Sequence, residues 1–151
     1  MTTYNTTDRE ITVSRILNAP IELVWEVWTN PNHIKNWWGP DGFTNTITQM
    51  EVTPGGKWNL VMHGPDGTDY DNESIFTEVE WHKKIAYHHI SDHEFIATIA
   101  FETKGEQTYI HWQMLFPTKE ELMRIVSMYD IADSLQQNAN KLESYIKNQQ
   151  N

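Results

Sequence analysis

The chain has 151 residues, the size of one domain, and a chain of about this length buries roughly 70% of the surface its unfolded form exposes. It has no cysteine, which excludes disulfides, thiolate metal sites and cysteine nucleophiles. Its 21 acidic against 11 basic side chains leave a net charge of −10, so nucleic acid and anionic membrane are poor partners.

The opening MTTYNTTDRE has neither an apolar run nor a positive flank, so a signal peptide is not expected. No stretch approaches the roughly 18 apolar residues of a membrane span, and a cytoplasmic location is the expectation. Residues 1–8 are polar and expected to fray. From Glu10 to Leu17 the pattern is a strand, with Ile11, Val13 and Arg15 on one face and Thr12, Ser14 and Ile16 on the other. Asn18-Ala19-Pro20 starts a helix, because proline's missing N–H would be unpaired in the first turn anyway. Ile21, Val24, Trp25 and Trp28 then make one helical face, which Asn30-Pro31 ends. A second short helix is expected near residues 33–38, before Gly39-Pro40.

Six strands are expected near residues 43–52, 57–63, 70–79, 84–90, 95–102 and 107–116. Turn residues separate them: Pro54-Gly55-Gly56, Gly64-Pro65-Asp66-Gly67, Ser91-Asp92 and Lys104-Gly105-Glu106. Such short connections imply an antiparallel meander. Trp58, Leu60 and Met62 share one face, as do Ile110, Trp112, Met114 and Phe116, so one side of the sheet needs a cover. That cover is the C-terminal segment. Thr118 and Glu121 read as a capping box, and Leu122, Ile125, Tyr129, Ala132, Leu135, Ala139, Leu142 and Ile146 follow at helical spacing. A break between Ser127 and Asp130 is compatible with the pattern, although no Gly or Pro marks it. The expected fold is therefore α+β, a single domain with an ordered core over about residues 9–147. A seven-stranded antiparallel sheet packs on a long C-terminal helix, and two short helices follow the first strand.

The run Asn18-Ala19-Pro20, Val24-Trp25, Trp28-Thr29-Asn30-Pro31, Ile34, Trp37-Trp38-Gly39-Pro40 and Phe43 resembles the opening of the family of homologues of the activator of heat-shock-protein-90 ATPase. Pro54-Gly55-Gly56-Lys57-Trp58, Glu78-Val79 and the closing Leu135, Lys141-Leu142 and Tyr145-Ile146 are similar to later positions of that family. The resemblance implies a START-like, helix-grip fold, shared with the birch-pollen allergens and polyketide cyclases, in which a curved sheet grips a long helix around a cavity.

Seven tryptophans in one domain mean an aromatic core or an aromatic-lined pocket. Trp25, Trp28, Trp37, Trp38, Trp58 and Trp112, with Leu60, Met62, Phe76, Met114 and Leu135, are the candidate cavity wall. Tyr87 and His89 share a strand face, and are the candidates for a proton donor or shuttle inside that cavity; the plainer alternative is a polar pair in the wall. Neighbours His88 and His89 point to opposite faces of a strand and cannot chelate one metal, and His93 lies beyond a turn, so no metal is expected. There is no Walker loop, dinucleotide fingerprint or nucleophile elbow, and no cofactor is expected. The reading is a binder of a small hydrophobic or aromatic molecule. The alternatives are a cyclase- or hydrolase-like enzyme using the same cavity, and a chaperone-related protein-interaction module whose partner the sequence does not name.

Overall fold

The structure is a computed structural model and describes residues 3–150; Met1, Thr2 and Asn151 lie outside the described residues. Strands β1 (Thr3–Thr7) and β2 (Glu10–Leu17) come first, then helices α1 (Ile21–Thr29) and α2 (Pro31–Ile34). Six strands follow: β3 (Thr44–Met50), β4 (Lys57–His63), β5 (Asp69–Glu80), β6 (Lys84–His89), β7 (Phe95–Lys104) and β8 (Gln107–Leu115). Helices α3 (Lys119–Met128) and α4 (Ile131–Gln149) close the chain.

All strands join one antiparallel sheet in the order β1-β2-β8-β7-β6-β5-β4-β3. The meander runs from β3 to β8, and β2 returns alongside β8 with Ile11 opposite Met114 and Val13 opposite Trp112. The seven expected strands are present. The eighth corrects the expectation of a frayed start. Asp8, in the left-handed region (φ 53°), turns the chain back, and Thr3–Thr7 pairs residue for residue with β2 from Thr7↔Glu10 to Thr3↔Ser14. Polar composition does not prevent this, because an edge strand needs backbone partners more than apolar side chains.

The second short helix is earlier than expected. Pro31 occupies its first turn, and Asn30 caps it by accepting from the Asn32 N–H at 2.9 Å. Residues 35–37 continue as turns. The C-terminal helix divides at Tyr129, which is extended (φ −136°, ψ 140°), and Asp130 caps α4 by accepting from the Asp133 N–H. Only half of the capping box at α3 forms. The Thr118 hydroxyl accepts from the Glu121 N–H at 3.0 Å, while the Glu121 carboxylate turns to Arg124 instead.

Bulges at Ile47/Gln49 and Phe76/Glu78 break the strand register and curve the sheet. Gly56 closes the β3–β4 connection so tightly that a Cβ there would lie 2.0 Å from the Glu51 carbonyl oxygen. The concave face holds the core. Ile11, Val13 and Leu17 of β2, Ile99 of β7 and Ile110 and Trp112 of β8 meet Val24, Trp25 and Trp28 of α1 and Ala139, Leu142 and Ile146 of α4. Burying each large aliphatic side chain contributes about 1.5–3 kcal/mol. Arg15 lies on this same face, 3% exposed. Its guanidinium donates to Glu143 and, at 2.9 Å, to Gln136, both on α4.

Candidate functional site

The C-terminal half of α4 packs on the β2 side of the sheet, while its first turns stand away from β4, β5 and β6. The gap is a cavity of about 410 Å³, within the range typical of small-molecule sites.

Nine of the thirteen residues expected to line a cavity border this one. Trp38, Trp58, Leu60, Met62, Trp112, Met114 and Leu135 supply apolar surface, and Tyr87 and His89 supply polar atoms. The indole of Trp38 is the hinge of the aromatic wall, 5.0 Å from the Trp58 ring and stacked at 5.6 Å on Trp112. Trp25, Trp28, Trp37 and Phe76 do not border the cavity, which corrects their assignment. Trp28 packs edge-on against Trp37 at 4.8 Å and Trp112 at 4.9 Å, and Trp25 against Phe101 at 5.3 Å. Trp37 donates its indole N–H to the Val27 carbonyl at 3.1 Å. These three close the end of the sheet beneath α1 and α2. Phe76 lies behind Trp58, stacked on it at 5.7 Å.

Tyr87 is 4% exposed and borders the cavity. Burial alone raises its phenol well above the ordinary value, with no hydrogen bond contributing, so it stays protonated. Among the described residues its hydroxyl has no partner, and neither do the buried indole N–H groups of Trp58 and Trp112, so the wall holds several unpaired donors.

His89 is held on both sides. Its Nδ1 lies 2.8 Å from the His93 carbonyl, to which it donates, and its Nε2 lies 2.8 Å from the Asn72 amide oxygen. Asp92, in the left-handed region (φ 58°), turns the β6–β7 loop so that this carbonyl faces the ring. Burial lowers the imidazole to about 4, against a smaller opposing effect of the His93 hydrogen bond, so the ring is neutral at pH 7. A neutral ring protonated on Nδ1 accepts at Nε2, which needs the Asn72 NH₂ turned toward it. With the amide as placed, its NH₂ donates to the Tyr70 carbonyl at 3.1 Å, an arrangement that suits the imidazolium. Both ring nitrogens are thus engaged in either form, and neither is free to take a proton from a bound molecule. His88 points away, 3.4 Å from Glu94. His63 lies outside the cavity, bonded to Thr46 at 2.8 Å and Asp69 at 2.7 Å. His111 bonds Ser14 at 2.9 Å across the β2–β8 pair.

Sequence reasoning missed several wall residues. Phe43 and Gly39-Pro40 come from a loop, Tyr70, Asn72 and Ser74 from the twisted start of β5, and Phe95 from the start of β7. Ser134 and Asn138 come from α4. Asn138 was legible as a buried helical position one turn from Leu135; its side chain donates to the Trp37 carbonyl at 2.9 Å. Gly39, at φ 96°, is needed where it stands, since a Cβ would come within 2.9 Å of the Met62 methyl.

Among proteins of curated function, none matches the chain significantly in sequence. Solved structures do match in fold. A solution structure of a protein from Arthrobacter aurescens superposes with a TM-score of 0.90 at 20% identity, covering 97% of this chain and 91% of that one. A crystal structure of protein NE0264 from Nitrosomonas europaea gives 0.85 at 21% identity, over 94% and 96%. The AHSA1-like protein from Aeromonas hydrophila gives 0.70 at 18%, over 90% and 92%. The family model described as "Activator of Hsp90 ATPase homolog 1-like protein" matches residues 18–147, nearly the whole of the helix-grip domain, and the chain belongs to that family.

Proposed function

We propose that the protein binds one small, largely apolar molecule in the cavity between the sheet and the first turns of α4. The observation that carries this reading is a space of about 410 Å³ walled by Trp38, Trp58, Trp112, Leu60, Met114 and Leu135, with the Tyr87 hydroxyl as an unpaired donor on its wall. Aromatic walls with a few placed polar groups suit a flat apolar ligand that carries one acceptor. The engagement of both His89 nitrogens favours binding over acid–base chemistry.

The test is a titration with the uncharged fluorophore N-phenyl-1-naphthylamine. It should bind one per chain and quench tryptophan emission. Trp58→Ala should change the binding curve, whereas Trp81→Ala, at a position 72% exposed and outside the cavity, should leave affinity unchanged. For a ligand with an acceptor near the phenol, Tyr87→Phe should weaken binding about threefold to twelvefold, the worth of one net hydrogen bond. Absence of saturable binding across a broad set of neutral apolar probes would overturn the reading.

A further inference from the structure

From the charges around the cavity we infer that its ligand carries a protonated amine, with the apolar body against the indoles and the ammonium at the mouth. This rests on the cavity reading above and adds the charge of the occupant.

Two kinds of group line the space. Its interior is largely apolar, with Ser74, His89, Asn138 and the unpartnered Tyr87 hydroxyl, on a side chain 4% exposed, as its buried polar groups. That unpartnered hydroxyl on a buried side chain, with the buried and unpartnered indole N–H groups of Trp58 and Trp112 in the same wall, marks the space as a ligand site, independently of the charges. Its rim holds three exposed aspartates, Asp71 on β5, Asp92 in the β6–β7 loop and Asp130 at the start of α4. Among the described residues no lysine or arginine borders the cavity. The nearby cations are engaged elsewhere. Lys141 donates to the Pro40 and Phe43 carbonyls at 3.1 and 3.3 Å, and Arg124 is paired with Glu121. Asp92 has His93 beside it at 3.2 Å. Asp71 and Asp130 have no ion-pair partner among the described residues, although Asp130 also caps α4.

A carboxylate or phosphate entering this mouth would meet like charge with no cation to receive it, on a chain whose net charge is already −10. An ammonium would meet carboxylates without an ion-pair partner among the described residues, Asp71 on β5 and Asp130 at the start of α4. Fatty acids and acyl phosphates are therefore disfavoured, and aryl- or alkylamines favoured.

Three probes of matched shape separate the possibilities: 2-naphthylethylamine, 2-naphthylethanol and 2-naphthylacetate, titrated against the full chain at pH 7.5 and low ionic strength. The amine should bind about fivefold tighter than the alcohol, the scale of partly exposed ion pairs, and the acid weaker than the alcohol. In about 0.5 M salt, where the Debye length falls to a few Å, the amine's margin should shrink. Asp71→Asn and Asp130→Asn should also reduce it, weakening the amine more than the alcohol; asparagine caps a helix about as well as aspartate, so α4 keeps its start. An acid that binds as tightly as the amine, or an amine margin untouched by both salt and Asp71→Asn, would overturn this inference while the cavity reading stands. Failure of all three probes to saturate would instead remove the cavity reading, and this inference with it.

Discussion

At His89, burial and hydrogen bonding act in opposite directions. Burial lowers the imidazole to about 4 in the folded chain, against about 6.5 unfolded. Between those values the unfolded chain binds the extra proton, so this residue's contribution to stability is complete above about pH 6.5. It is lost progressively as pH falls to about 4, by roughly 3 kcal/mol at most. His89→Gln keeps polar atoms for His93 and Asn72 but cannot titrate. Urea melts of both proteins between pH 7.5 and pH 4.5 should therefore converge or cross as pH falls, with the wild type losing more stability. Parallel curves would show that the ring is not the titrating group. Strand parity placed Tyr87 and His89 on one face, which is why both were legible. Asn72 and the His93 carbonyl were not, because they reach His89 across β5 and around a left-handed turn at Asp92.

At the scale of elements, α4 decides whether the concave face is covered. Leu135 is 5% exposed and both seals the core and borders the cavity, while Met123 on α3 is 61% exposed. Leu135→Asp would bury an unpaired charge, a cost of several kcal/mol and on the order of the whole stability of a domain. It should abolish cooperative melting by circular dichroism, and Met123→Asp should leave the melt nearly unchanged. A folded Leu135→Asp protein would mean that α4 does not cover the sheet as described. Helical spacing identified this docking face from Leu135 to Ile146. Division of the helix at Tyr129 was only suggested, since a break without Gly or Pro is set by where the chain must turn over the cavity rim. The partnership of Arg15 with Glu143 and Gln136 joins positions over a hundred residues apart, so strand parity alone located only one end of it.

Across the whole molecule, cavity and stability are linked. A ligand that binds only the folded chain stabilises it by mass action, about 2.7 kcal/mol at a hundredfold excess over Kd. For a domain of this size that raises Tm by roughly 5–10 °C. N-phenyl-1-naphthylamine should produce such a rise in differential scanning calorimetry, growing with the logarithm of its concentration. A Tm independent of probe concentration would show that the probe does not select the folded state.

Local rules acting on the chain alone determined its elements. The apolar periods of two and of three to four, Pro20 and Pro31, and the glycine turns located seven strands, α1 and the terminal helix. They also identified which faces are apolar, because burial on one side of a strand or helix imprints its period on the sequence. The cavity itself depended on tertiary structure. Whether an inward tryptophan packs in the core, like Trp28 and Trp37, or borders open space, like Trp38 and Trp58, depends on how far α4 stands from each strand. That distance follows from the bulges that curve the sheet and from the turn at Tyr129, and inward parity is the same for both outcomes. The acidic rim is likewise assembled from β5, a loop and a helix start, which only folding brings together.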